Sequence, residues 1–155
     1  MKVVCIAGHS GAGKTTLIER LIPALKQLGL RVSVVKRTHH ALEIDHPGKD
    51  TYRHRQAGAF EIVAASPQRL VLMREFEQKA SVSVHQMIAE LYEGVDWVLV
   101  EGFKHSDLAK IEVVRPSVPL TVQYPNDPFV LAVLSDDSAN LPAPTGLPVL
   151  NVNDV

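Results

Sequence analysis

The chain has 155 residues, of which 46% are hydrophobic and 21% charged, and its formal net charge is −1. That length suits one domain with a real core, and the near-neutral balance excludes a global field directed at nucleic acid or membrane, so any basic site must be local. The single cysteine, Cys5, excludes an intrachain disulfide, and uncharged stretches such as 138–153 are interrupted by proline, so none reads as a membrane span.

Taken in chain order, the first element is a strand. Val3, Val4, Cys5, Ile6 and Ala7 make a short continuous apolar run, the pattern of a strand covered on both faces in a parallel sheet. Leu17, Ile18, Leu21, Ile22, Leu25 and Leu28 then recur at helical spacing, which predicts an amphipathic helix stopped by Gly29. Pro23 falls inside that helix and would free the carbonyl of Glu19, at ~3 kcal/mol for an interior proline. Because the apolar stripe continues to Leu28, a kink is expected there rather than an end. Residues 31–36 read as a second strand and 37–50 as a polar loop. A short helix is expected over 51–57, capped by Asp50 and ended by Gly58.

Residues 61–65 and 70–75 are strand-like runs too closely linked for a parallel crossover, so they predict a hairpin. A helix over 82–93, ended by Gly94, leads to a strongly apolar strand over 96–100 that runs into Glu101. Further strands are expected over 111–115, 130–134 and 149–152. The alternation of strands and helices predicts an α/β fold, a mainly parallel sheet flanked by helices with an antiparallel hairpin insert, in a single domain over 1–155.

Between the first strand and first helix lies G-x-x-x-x-G-K-T, with Gly8, Gly13, Lys14 and Thr15 at its fixed places. This is the spacing of a phosphate-binding loop. The small residues let the backbone N–H groups of 8–16, through His9, Ser10, Gly11, Ala12 and Thr16, turn around an anion at a helix N-terminus. Lys14 is then expected to reach the terminal phosphates of a nucleotide, and Thr15 to ligate Mg²⁺. Ligands of open α/β sheets bind beyond the carboxyl ends of the strands, which singles out Glu101 as the carboxylate for Mg²⁺ or its water. Asp96 belongs at the opposite edge, and Lys104 is either a second anion contact or a solvated lysine.

After the second strand come Lys36, Arg37, Thr38, His39 and His40, with His46, Lys49, Arg53 and His54 nearby. Three readings stay open: a polar surface loop, a site for a second anionic ligand such as a phosphorylated small molecule, and a metal site. The spacing lacks the tight ligand pairs of structural zinc. Asp45 and Asp50 are further candidates to assist Mg²⁺. The N-K-x-D signature for guanine is absent; Asp136, in Ser135-Asp136-Asp137 after a late strand, is the candidate carboxylate for guanine N–H groups. These residues do not separate GTP from ATP.

The segments GHSGAGKTTLIERLIPAL, VKRTHH, DHPGKDTYRHRQAGA and VLVEGFKHSDLAKIEV, in this order over most of residues 3–115, resemble the B-protein family of molybdopterin-guanine dinucleotide biosynthesis (MobB). The resemblance implies a homodimeric GTP-binding adaptor with weak GTPase activity at most, and the lone Cys5 suits a reducing cytoplasm, where the protein is expected. It also implies a guanylyltransferase partner that attaches GMP to molybdopterin, and contact with molybdopterin or its guanine dinucleotide. Lys36, His39, His40, Asp45, Pro47, Gly48, Lys49 and Asp50 fall on family-pattern positions. His9 departs from the pattern, where relatives often carry a bulky apolar residue. Slow hydrolysis is expected, because no arginine finger and no water-orienting glutamine is evident. Two rival functions share the residues: a small-molecule kinase with the basic loop as acceptor site, and a GTP-dependent metal-delivery protein using His39, His40 and His46. Finally, the consecutive apolar residues of the hairpin predict burial on both faces, covered by a second subunit, with Val63 and Val71 in that interface.

Overall fold

The computed structural model describes every residue except 39–41, 43, 116–120 and 155. The chain forms two compact units, Met1–Arg37 with Ser83–Val155, and Thr38–Val82.

The first unit is a six-stranded sheet in which every pairing is parallel. Its strands are β1 (Lys2–Ala7), β2 (Val32–Lys36), β5 (Trp97–Glu101), β6 (Lys110–Val114), β7 (Val130–Ser135) and β8 (Val149–Asn151), in the order β2-β5-β1-β6-β7-β8. Side chains alternate between the faces of each strand, so β1 feeds two cores. Ile6 joins Leu99, Val113 and Leu134 under Leu17 and Ile18 of helix α1 (Lys14–Gln27). Cys5 joins Val98, Val100 and Phe103 on the other face, under Val84 of helix α3 (Val84–Ala89). The continuous apolar run of β1 follows from this double cover.

Helix α1 continues through Pro23 and is capped at Leu28, immediately before Gly29. Helix α3 is shorter than the 82–93 expected. Ser83 accepts from Gln86 N while the Gln86 side chain accepts from Ser83 N, a reciprocal cap that fixes its start. The apolar stripe runs on to Leu91, which packs on the core, but hydrogen bonding tightens to a three-residue closure from Leu91 N to Ile88 O. Periodicity therefore outlasts the helix.

The second unit holds helix α2 (Asp50–Gln56) and an antiparallel hairpin, β3 (Glu61–Ser66) and β4 (Arg69–Arg74), joined by Pro67 and Gln68. Asp50 does not cap α2. Lys49 is the capping position, without a side-chain bond, and Asp50 is the first helical residue, 3.7 Å from Arg53. The helix starts one residue earlier than expected, which leaves the Asp50 carboxylate in the first turn, where it suits the positive end of the helix dipole. The hairpin is also not buried on both faces within the chain. Ile62, Ala64, Val71 and Met73 are half-buried, whereas Val63, Leu70 and Leu72 lie on the opposite, exposed face. Val71 is therefore on the other side from Val63.

Two charged residues inside β6 depart from the apolar pattern. Lys110 is fully buried at its start, where it donates to Ser106 O, pairs with Asp127 at 3.1 Å and lies 4.9 Å from the Phe129 ring centre. Glu112, 2% exposed, accepts from Gln123 N and Tyr124 N at 2.9 and 2.7 Å. Tyr124 in turn donates to Ala143 O and accepts from Ala143 N, so a single carboxylate organises the segment that returns to β7.

Burial pushes the Glu112 carboxyl above its ordinary 4.5, against the pull of the two backbone N–H groups. The folded chain therefore holds this proton at pH values where the unfolded chain has lost it, and stability from this position falls as pH rises from 4.5 through the raised value. Denaturant unfolding should show the unmodified protein losing stability relative to Glu112→Gln as pH rises above 4.5. A difference independent of pH would contradict this.

Candidate phosphate site at the end of the parallel sheet

The loop from Gly8 to Gly13 leaves β1 at the point where the order of strand connection reverses, with β5 on one side and β6 on the other. That reversal opens a crevice at the carboxyl edge. Gly8 has φ +130°, and a Cβ there would sit 2.4 Å from Val113 O of β6. Glycine is thus required twice, by conformation and by the close backbone approach. Gly13, with φ +94°, is the N-cap of α1 and turns the chain into the helix.

Lys14, the first residue of α1, donates to His9 O at 2.5 Å and so folds back over the loop. Burial lowers the pKa of its ammonium; Glu101 opposes that shift, and Lys36 and Lys104 add to it. Such a lysine gains from any anion that enters the loop. Thr15 Oγ1 donates to Glu101 Oε1 at 2.9 Å, and Lys36 Nζ lies 3.2 Å from Glu101 Oε2. Glu101 is 8% exposed and ends β5 beside Lys36, which ends β2. Threonine hydroxyl and carboxylate are the hard oxygen donors that Mg²⁺ takes together with phosphate oxygens, so this donor set fits the ion. Among the described residues no group of three or more His, Cys, Asp or Glu is arranged to hold a metal. Any Mg²⁺ here would depend on a ligand's phosphates for the rest of its shell.

Asp96 is at the foot of β5, where its Oδ2 accepts from Arg31 N at 2.8 Å, roughly 17 Å along the strand from Glu101. It therefore lies at the opposite edge, as expected from its place at the start of the strand. Asp136 follows β7 at the carboxyl edge and is ion-paired with Arg115, while Asp137 accepts from Asn140. His46, Lys49 and Asp50 belong to the second unit. There Asp45, at φ 88°, accepts from His46 N and Thr51 Oγ1, each at 3.0 Å. His39 and His40 lie outside the described residues.

Two site residues were missed in the sequence. Arg115 Nε donates to Ala12 O at 3.1 Å, and Glu112 lines a small pocket together with His9, Ser10, Ala12, Arg115 and Pro142. Arg115 is the first residue after β6, so the rule that weighs residues following a strand would have found it. His9 also faces the segment after β6, with Nε2 3.1 Å from Thr121 O.

A family model described as "Molybdopterin guanine dinucleotide synthesis protein B" matches residues 3–136. The "Molybdopterin-guanine dinucleotide biosynthesis adapter protein" of Escherichia coli (strain K12) is 39% identical over 99% of this chain and 86% of its own length. Its counterpart in Haemophilus influenzae is 37% identical over 97% of this chain and 81% of its own. Among solved structures, molybdopterin-guanine biosynthesis protein B (mobB) superposes with a TM-score of 0.73 at 29% identity, covering 98% of this chain and 91% of the other. The MobB homologue from Bacillus stearothermophilus gives 0.68 at 25%, covering 99% and 90%.

The approach of Gly8 to β6 is testable in this chain. Gly8→Ala should push the loop off the strand and destabilise the protein by about 1–3 kcal/mol in denaturant unfolding, the usual range for overpacking a fixed contact. Stability equal to that of the unmodified protein would mean that the contact is not tight.

Proposed function

The chain belongs to the molybdopterin-guanine dinucleotide synthesis protein B family, and from that membership together with the geometry of the loop we propose that it is a GTP-binding adaptor assisting the attachment of GMP to molybdopterin. The observation that carries the nucleotide reading is the chain Thr15–Glu101–Lys36 beside Lys14. It joins a hydroxyl, a carboxylate and two ammonium groups at the mouth of a phosphate loop.

In this reading the N–H groups of residues 8–16 and Lys14 bind the phosphates, while Thr15 and Glu101 supply Mg²⁺ ligands. The bound ion screens phosphate charge. Glu101, held by Thr15 and Lys36, is committed to the ion in this reading and not to taking a proton from attacking water. That favours binding over turnover and at most weak GTPase activity. Asp136 would read guanine, whose N1–H and amino group are donors, over adenine, which offers an acceptor at N1. The partner is a molybdopterin guanylyltransferase, and molybdopterin or its guanine dinucleotide is the species handed on. The site of action in this reading is the cytoplasm; among the described residues no helix is long and apolar enough to cross a membrane.

Calorimetric titration in Mg²⁺ tests the reading: GTP should bind at least ~10-fold more tightly than ATP, about 1.4 kcal/mol, and Lys14→Ala should remove most of that binding. Equal affinity for the two nucleotides, or an unaffected Lys14→Ala protein, would sink it.

A homodimer is part of the same proposal. Val63, 59% exposed, with Leu70 at 69% and Leu72 at 44%, forms one apolar hairpin face that the chain itself leaves open. A two-fold partner would cover such a self-complementary strip. Val63→Asp with Leu72→Asp should shift a dimer to monomers in light scattering at micromolar concentration. A monomeric unmodified protein would overturn the dimer.

A further inference from the structure

Arg115 touches both halves of the nucleotide site at once. Its Nε donates to Ala12 O at 3.1 Å, and its Nη2 lies 3.2 Å from the position a Cβ on Gly13 would take. From the same guanidinium, Nη1 donates to Asp136 Oδ2. The group is about one-third exposed, as is Asp136, so the bridge lies at the rim of the sheet's carboxyl edge, not in its core.

The contact with Ala12 has a direct consequence for the loop. A phosphate cradle works only if its peptide N–H groups face inward, which leaves the carbonyls facing out and in need of donors. Ala12 O is one of these, and Arg115 satisfies it, holding the Ala12–Gly13 peptide with the Gly13 N–H available to an anion. The contact with Asp136 acts on the other half of the site. Asp137 is taken by Asn140, so Asp136 is the carboxylate of this turn tied to the loop. An ionised carboxylate oxygen has two lone pairs, so Asp136 can accept from Arg115 and still accept from a ring N–H. The planar fork of an arginine holds two acceptors in fixed relation, which a lysine does not.

We propose that Arg115 is a positioning residue that couples base selection at Asp136 to the phosphate loop at Ala12, so that a nucleotide with ring N–H donors is held at both ends while one lacking them is held at the phosphates alone. This rests on the reading of the site as a guanine-nucleotide site and deepens it.

The test is a set of titrations with fluorescent GTP and ATP analogues in Mg²⁺, on the unmodified chain, Arg115→Ala, Arg115→Lys, Asp136→Asn and the Arg115→Ala/Asp136→Asn double variant, each checked by thermal unfolding. Asp136→Asn should weaken GTP about tenfold, the scale of one charge-assisted hydrogen bond, and leave ATP unchanged. Arg115→Ala should weaken GTP by at least as much and ATP by about threefold, since only the arginine also touches the loop. The double variant should be no worse for GTP than Arg115→Ala, because the two groups act as a unit. Arg115→Lys should recover part of the GTP preference by pairing with Asp136. Penalties that add in the double variant, or a GTP-to-ATP ratio unmoved by Arg115→Ala and Arg115→Lys, would overturn the coupling while leaving Lys14-dependent GTP binding intact. Should Arg115→Ala fail to fold, Arg115→Lys and Asp136→Asn decide it by the same ratio. An unmodified chain that binds no GTP would overturn both the coupling and the functional reading.

Discussion

Everything at the carboxyl edge of the sheet depends on one backbone contact, the passage of Gly8 over the carbonyl of Val113. A side chain at Gly8 would hold the loop away from β6, and the alignment of the loop with the end of that strand would be lost. With the loop seated, Ala12 comes within reach of Arg115, and α1 starts where Thr15 meets Glu101. The close approach is affordable only because β1 and β6 are parallel neighbours, so both strands deliver their carboxyl ends to the same rim.

The electrostatics of that rim are unbalanced in one direction. Glu101 faces Thr15 and Lys36, while Lys14 is partly desolvated and is pushed further from its charged form by Lys36 and Lys104. Cations gathered around one carboxylate leave an unmet demand for negative charge, and the loop's N–H groups point the same way. In an isolated chain Lys14 answers part of this demand by bonding to His9 O, a contact that an entering anion would compete with.

Much of this was readable because it is local. The phosphate loop declares itself through spacing, the strands through short apolar runs, and the hairpin through a link too short for anything else. That Glu101 lies at the carboxyl end of its strand and Asp96 at the opposite end followed from asking only which end of a strand each residue occupies. What escaped depends on contacts between distant segments. Asp50 reads as a cap, but α2 begins one residue earlier and takes it into its first turn, and α3 ends early because an apolar stripe can continue on a turn that is no longer helical. The hairpin's unbroken apolar runs concealed that Val63 and Val71 point to opposite sides, a fact of register rather than of composition. Arg115 follows directly on β6 and reads as an ordinary polar terminus until the order β1-β6-β7 brings Ala12 and Asp136 to either side of it.

The buried lysine at the start of β6 bears on how this sequence is free to vary. Lys110 has no access to solvent, and its partner Asp127 is only 18% exposed. Removing either partner alone would strand a charge in the interior, which typically costs 3–5 kcal/mol, whereas replacing both with well-packed apolar residues is often neutral. Positions 110 and 127 therefore constrain each other: an exchange of both is physically easier than either single step, and the ion pair is harder to leave than its own contribution to stability would suggest.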